Sequence, residues 1–365
     1  MPAELLKYSP SGASRWLKCH ASVPRAATLP PAEKSEDDDQ YRDEGRRFHL
    51  LIAAMVQGDP IPDDLEYDEE MLRHAEAYVA EIDTWRMHPD FERDYVEESI
   101  SHGRLKGLEG TLDYLATFQD LSGRHARIAD AKYGAGQYVA AANNEQLLCY
   151  ALLADAYAGP FGMFTLSIYQ PRCGDEPWRH WSVSREELLA FAERVFWAMA
   201  EKSHVELGGH CKWCPFLPHC DDVADQALQL AAEDVQADED IDRWTRILAV
   251  APAIKAMLDA VSAKVSRAIQ AGKQVPGWKV VQGNPGARRW RIKDQAELEQ
   301  ELRALKLRPK DFVEKKILSP PQLEKKGFFD IISHLVERPA GGPTLVPETD
   351  PRESIITTAD DFEAL

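Results

Sequence analysis

Residues 110–133 read GTLDYLATFQDLSGRHARIADAKY, and the fold turns on how this stretch divides. Apolar and polar residues alternate through GTLDYLATF (110–118) and again through ARIADAKY (126–133). A period of two marks half-buried strands, and the polar QDLSGR between them reads as a turn. DYVEESIS (94–101) alternates in the same way just upstream, so three consecutive strands are expected. On both sides the period becomes helical. DEGRRFHLLIAAMVQG (43–58) reads as a helix ended by Gly58, and DEEMLRHAEAYVAEIDTWR (68–86) as a second. NNEQLLCYALLADAYAG (143–159) reads as a third, stopping at Gly159. MFTLSIYQP (163–171) and WRHWSVS (178–184) are two further strands. Ser184 with Glu187 makes a capping box for the helix REELLAFAERVFWAMAEK. The expected fold is therefore α/β, with a mixed central sheet flanked by helices.

The two central strands carry the chemistry. Asp113 lies inside an apolar strand, and Asp130 and Lys132 stand two apart, hence on one face of the next. Burying a carboxylate is costly unless something compensates it. Two carboxylates on neighbouring strands can share a hard divalent cation, Mg²⁺ or Mn²⁺. Lys132 would then orient a water or stabilise negative charge. A plain Asp–Lys ion pair at a strand end is the structural alternative. His49 follows Gly45 by four residues, and a small residue there would let the first helix pack close to a sheet. Gln146 and Tyr150 share one helical face at i, i+4.

GGHCKWCPFLPHC (208–220) sets Cys211, Cys214 and Cys220 in one short loop. Six cysteines in 365 residues are too sparse for a disulfide scaffold, and Cys-x-x-Cys in a reducing compartment reads first as metal or redox chemistry. Three thiolates need a fourth ligand. His210 or His219 would complete a Cys₃His zinc site, and a fourth cysteine would suit either Zn²⁺ or an iron–sulfur cluster.

Bulk composition is that of an ordinary globular chain, 44% hydrophobic and 28% charged. No apolar run reaches membrane-span length, and the N-terminal MPAELLKYSPSGASRWLK lacks a signal-peptide core. A cytoplasmic location and no membrane association are expected. The net charge of −18 argues against a nucleic-acid partner, but much of the acid sits in blocks at 33–44, 62–70 and 231–242. Residues 255–338 hold 18 Lys and Arg against 10 Asp and Glu, about +8 in all. IDRWTRILAVAPAIKAMLDAVSAKVSRAIQAG (241–272) reads as a long helix, GWKVVQGNPGARRWRI (277–292) as a basic hairpin and KDQAELEQELRALK (293–306) as a helix. The last residues are rich in Pro, Gly and acid and read as a flexible tail. The expected division is a core over 1–225, a basic, mainly helical extension over 226–338, and a tail over 339–365. Arg288, Arg289, Arg291 and Lys293, interleaved with Trp290, would grip a DNA backbone and stack bases, or else form a solvated hairpin whose tryptophans pack on the long helix.

Taken in order, Gly45-x-x-x-His49, Gly110-x-x-Asp113, Asp130-x-Lys132 and Gln146-x-x-x-Tyr150 resemble the motifs of the RecB-type branch of the PD-(D/E)XK nucleases. The resemblance covers about residues 5 to 222. It implies that His49, Asp113, Asp130 and the main-chain carbonyl of Ala131 bind the catalytic Mg²⁺ or Mn²⁺. Lys132 would be the catalytic lysine, and Gln146 and Tyr150 would support the site and the DNA strand. Asp130 stands where many members carry Glu, a shorter side chain that would shift the metal slightly. A subset that includes the CRISPR-associated and AddB nucleases has one cysteine before the core and Cys-x₂-Cys-x₅-Cys after it. By that resemblance Cys19 joins Cys211, Cys214 and Cys220 around a [4Fe–4S] cluster, with Zn²⁺ the alternative. The C-terminal part resembles a phage and prophage family labelled as a domain of unknown function. The implied protein is a metal-dependent DNA nuclease, an exonuclease of phage recombination or processing in the bacterial cytoplasm. A single-strand annealing protein is the partner implied by analogy, and a homo-oligomeric ring fits as well as a monomer. The alternative is a catalytically silent module that binds DNA or a partner and keeps a structural zinc or iron–sulfur site.

Overall fold

The computed structural model describes residues 6–30, 36–134, 138–173, 176–232, 241–283, 289–292, 294–312, 318–337 and 343–347. Two helices open the core, α1 (Glu36–Gln57) and α2 (Glu69–Arg86), the second capped by Asp68, which accepts from the Met71 N–H. Then come β1 (Phe91–Ser101), β2 (Glu109–Asp120) and β3 (Gly123–Ala131), followed by α3 (Glu145–Ala158), β4 (Met163–Tyr169), β5 (Trp178–Ser184) and α4 (Arg185–Ala200). The five strands form one sheet in the order β1-β2-β3-β4-β5, antiparallel except where β3 runs parallel to β4. The parallel step requires the α3 crossover between them. The mixed α/β sheet flanked by helices is as the alternating and helical periods indicate, and the capping box of Ser184 and Glu187 forms.

Each face of the sheet buries its own core. Phe48, Leu51 and Ile52 of α1 and Tyr78 and Ile82 of α2 pack with Tyr114, Ala116 and Phe118 of β2. Leu147, Ala151 and Leu153 of α3 and Leu188, Phe191 and Val195 of α4 pack with Leu115, Ile128 and Leu166. The alternation of β2 breaks at the motif: Leu112 and Leu115, three apart, share one core, and Asp113 lies between the breaks.

The N-terminal segment is bound to this core. Tyr8 pairs with the strand edge through its N–H to Gly107 (2.8 Å), and Trp16, fully buried, donates Nε1–H to the Ser9 carbonyl at 2.9 Å. Gly107 permits the approach: with φ +101 it sits so close to Leu6 that a Cβ would meet the Leu6 carbonyl oxygen at 2.2 Å.

After the cysteine loop come α5 (Asp221–Ala232) and α6 (Ile241–Gln270), the long helix expected there. Contacts divide the chain into units 1–257 and 258–365. In the second unit lie β6 (Trp278–Gln282), β7 (Arg289–Trp290), α7 (Gln295–Ala304), β8 (Val336–Glu337) and β9 (Pro343–Pro347). The expected basic hairpin over 277–292 does not form. β6 pairs with β9 and β7 with β8, all antiparallel. Residues 343–347, read as part of a flexible tail, are thus a strand. Leu345 stands opposite Val280 and Thr344 opposite Val281; both valines are fully buried, and a distant strand satisfies the same backbone groups that a local hairpin would. The other tail residues from 338 onwards lie outside the described residues. No helix among the described residues is long and apolar enough to cross a membrane.

Candidate functional site

Four elements deliver the motif side chains to one place. His49 comes from α1, Asp113 from β2, Asp130 from the end of β3, and Gln146 and Tyr150 from the first turns of α3. The start of α3 is fixed by Asn144, whose side chain accepts from the N–H groups of Gln146 (3.0 Å) and Leu147 (3.2 Å). Gln146 Nε2 then donates to Asp130 Oδ1 at 3.0 Å and lies 3.3 Å from the Tyr150 hydroxyl. Asp113 Oδ2 accepts the Ala131 N–H at 2.7 Å, locking β2 to β3 at the two acids. Its Oδ1 faces His49 Nδ1 at 3.4 Å. Lys132 Nζ stands 2.8 Å from Asp130 Oδ2, and its backbone N–H holds the Tyr169 carbonyl at 2.7 Å, so the lysine is fixed against β4.

Electrostatically the site is short of positive charge. Burial pushes the Asp130 carboxyl above its ordinary range, although Lys132 pulls it down. Burial disfavours the Lys132 ammonium too, yet Asp130 more than offsets this and holds its pKa above the usual lysine value. One lysine therefore does not fully compensate the pair of buried acids. Burial likewise works against the His49 imidazolium, but Asp113, aided by Glu97 and Asp130, lifts its pKa to about 10. The Tyr150 phenol is pushed up by burial and by the nearby Asp130 and Asp113 charges, and stays neutral.

Asp130 Oδ2 is buried and already faces one cation, the Lys132 ammonium at 2.8 Å. With Asp113 buried beside it, the two carboxylates carry more negative charge than one lysine offsets, and such a pair can share a divalent cation. The donor set of imidazole nitrogen and carboxylate oxygens suits Mg²⁺ or Mn²⁺. Among the described residues His49, Glu97 and Asp113 form a group whose ligand atoms all lie within 4.8 Å of one another. Glu97 belongs to none of the motifs; in sequence it is one acid of an exposed-looking EES.

Gly45 does not have the packing role expected of it, since a Cβ there would meet nothing within 4 Å. Gly110 has that role instead: its Cβ would lie 2.8 Å from two Pro10 carbons and 3.3 Å from the Tyr150 ring. A cleft of about 430 Å³ opens beside it, lined by Lys7, Ser9, Ser99, Ser101 and Thr111.

The four cysteines also converge. Cys19 is within electrostatic reach of Cys214 and Cys220, and Cys211 of all three others. Burial raises the thiol pKa of Cys19, Cys211 and Cys220. None of the four is in a disulfide. Arg25 pairs with Asp222 and lies 3.9 Å from the Cys220 sulfur, and the Ala21 N–H holds the His204 carbonyl at 3.0 Å. His210 Nε2 is engaged at 2.9 Å with the Glu206 carbonyl. Cys149 is core, fully buried among the α3 leucines.

Of the basic stretch, Arg288 and Lys293 lie outside the described residues. Arg289 is in β7, Arg291 is exposed, and Trp290 is half-buried against the Leu298–Leu302–Phe312 cluster.

A family described as "Protein of unknown function (DUF2800)" matches residues 6–353. A solved structure described as "Crystal structure of SSO0001" is similar to 60% of this chain and 88% of that one, at 12% identity and a TM-score of 0.28. That likeness is too low to carry an argument about either fold or activity.

Proposed function

The chain belongs to the DUF2800 family, and from the site it carries we infer that it is a divalent-metal-dependent DNA nuclease with a PD-(D/E)XK core, acting as an exonuclease. The observation that carries this reading is the gathering of two buried carboxylates, Asp113 and Asp130, with the His49 imidazole 3.4 Å from the first and the Lys132 ammonium 2.8 Å from the second. A structural Asp–Lys pair has no need of a second buried acid and an imidazole beside it. His49, Asp113, Asp130 and the Ala131 carbonyl would hold Mg²⁺ or Mn²⁺. When bound, that cation supplies Lewis-acid polarisation of a phosphodiester and lowers the pKa of a coordinated water.

The protein's own groups divide the remaining work. Lys132 keeps its proton at neutral pH, so it cannot serve as a base; it donates hydrogen bonds to, and stabilises, charge that develops on the phosphoryl oxygens. Gln146 orients Asp130 through Oδ1, while Oδ2 stays on the side of Lys132. Tyr150, a neutral phenol beside Gln146, offers a donor to the strand. Cys19, Cys211, Cys214 and Cys220 would hold a [4Fe–4S] cluster as a structural staple, the use that best suits four partly buried thiols drawn from both ends of the core. Phage DNA processing, with a single-strand annealing partner, is the setting this reading favours.

The test is digestion of end-labelled duplex and single-stranded DNA with Mg²⁺, Mn²⁺ or EDTA. Cleavage is expected only with metal. It should be lost in Asp113→Ala, Asp130→Ala and Lys132→Ala proteins that retain native circular dichroism. Cleavage unchanged in all three, or DNA bound but never cut with any metal or end structure, would remove the nuclease reading and leave a binding module.

A further inference from the structure

Glu97 lies outside every motif, yet it stands with His49 and Asp113. Its carboxylate is 3.6 Å from His49 Nδ1, and its ligand atom falls within the 4.8 Å grouping with Asp113 and His49. It reaches this position through a left-handed backbone, φ 49, in the middle of β1. The ladder pairs Val96 with Tyr114 and Glu98 with Leu112, so the strained residue sits opposite Asp113. A glutamate adopts that conformation only at a cost in free energy that the surroundings must offset.

A second buried acid adds to the negative charge here. Asp130, 3% exposed, has its Oδ2 2.8 Å from Lys132 Nζ and is in electrostatic reach of both Asp113 and His49. Exposure climbs in one direction across the group: 8% at Asp113, 29% at His49 and 36% at Glu97. The acids thus run from the interior to solvent around one imidazole. Charge fits as well. With His49 neutral, as a ligand must be, three carboxylates and one ammonium sum to −2, the complement of one divalent cation.

We propose that Glu97 is a fourth side-chain ligand of the divalent cation, closing the site on its solvent side. This rests on the metal-dependent reading above. It also gives the left-handed backbone a purpose: an extended residue at 97 would point elsewhere on the strand.

The experiment is Mn²⁺ titration of the full-length protein by calorimetry, with free Mn²⁺ counted by electron paramagnetic resonance. Wild type should bind one ion at the site, and Glu97→Gln should weaken binding at least tenfold. A residue that merely positions His49 would give the same result, so the titration is repeated in a His49→Gln background. There a ligand still loses the same factor on Glu97→Gln, whereas a positioning residue loses nothing more, and that result would overturn the proposal. Mn²⁺ binding unaffected by Glu97→Gln defeats this proposal but leaves the nuclease reading intact. Mn²⁺ binding weakened by Glu97→Gln in a protein that never cuts DNA does the reverse. Absence of any Mn²⁺ binding defeats both.

Discussion

His49 shows how much of this site is decided by single groups. In the metal-free protein its imidazolium faces Asp113 and Glu97, at 3.4 and 3.6 Å. Its pKa, about 10 against an ordinary 6.5, means that the folded state binds a proton the unfolded chain has already released between those limits. Stability then falls as pH rises. The contribution is complete below 6.5 and gone above about 10. Thermal melts in EDTA should show wild type more stable than His49→Gln at pH 6, the difference shrinking by pH 8 and vanishing by pH 10. A difference that stays constant with pH would show that the pair contributes nothing electrostatic. With Mn²⁺ present the trend inverts, because the ion must displace that proton and binds better as pH rises. The motif residues His49, Asp113, Asp130, Lys132, Gln146 and Tyr150 were legible in sequence because residue type and order identify them. Glu97 was not, because an acid in an alternating strand reads as a solvated face, and only its φ and its register opposite Asp113 set it apart.

At the scale of elements, packing turns on one glycine in β2. The turn at Pro10 and the ring of Tyr150 both press on Gly110, so a methyl there has to displace one or the other. Gly110→Ala should cost about 1–3 kcal/mol by overpacking. That is a fall of several degrees in melting temperature for a unit of this size. Gly45→Ala tests the contrast. It sits in helix α1 with nothing within 4 Å of a Cβ, so it should gain about 0.5–1 kcal/mol from helix propensity alone. Equal effects in the two variants would contradict the packing described. Sequence periodicity located α2, α3, α4 and all five strands of the large sheet, since each carries its own repeat and its own stop. It failed for β6 to β9. There the local Asn-Pro-Gly signal suggests a hairpin, while the actual partners lie more than 40 residues further along the chain. Non-local pairing of short strands leaves no trace in a local window.

For the molecule as a whole, the question is what ties its N-terminus to the end of the core. Four attachments described above need no metal: the Tyr8 pairing at Gly107, the buried Trp16, the Ala21 N–H on the His204 carbonyl and the Arg25–Asp222 pair. A fifth is the gathering of Cys19 with three cysteines about 190 residues further on. Closing so long a loop removes freedom from the unfolded chain worth about 5 kcal/mol, by the reasoning that applies to disulfides. Because Tyr8 and Trp16 hold the same segment, losing Cys19 should lower stability without unfolding the core. Anaerobically purified wild type is expected to be brown, with four iron atoms per [4Fe–4S] cluster. Cys19→Ser should be colourless, melt several degrees lower and keep native circular dichroism. Cys173→Ser, whose half-buried thiol lies outside the group, should keep both colour and melting temperature. Colourless wild type carrying stoichiometric zinc would replace the cluster with a Cys₄ zinc site and leave the staple in place. Wild type holding neither metal, with Cys19→Ser melting as wild type does, would mean that the four thiols meet without binding anything. The N-terminal segment would then rest on its metal-free contacts, those of Tyr8, Trp16, Ala21 and Arg25.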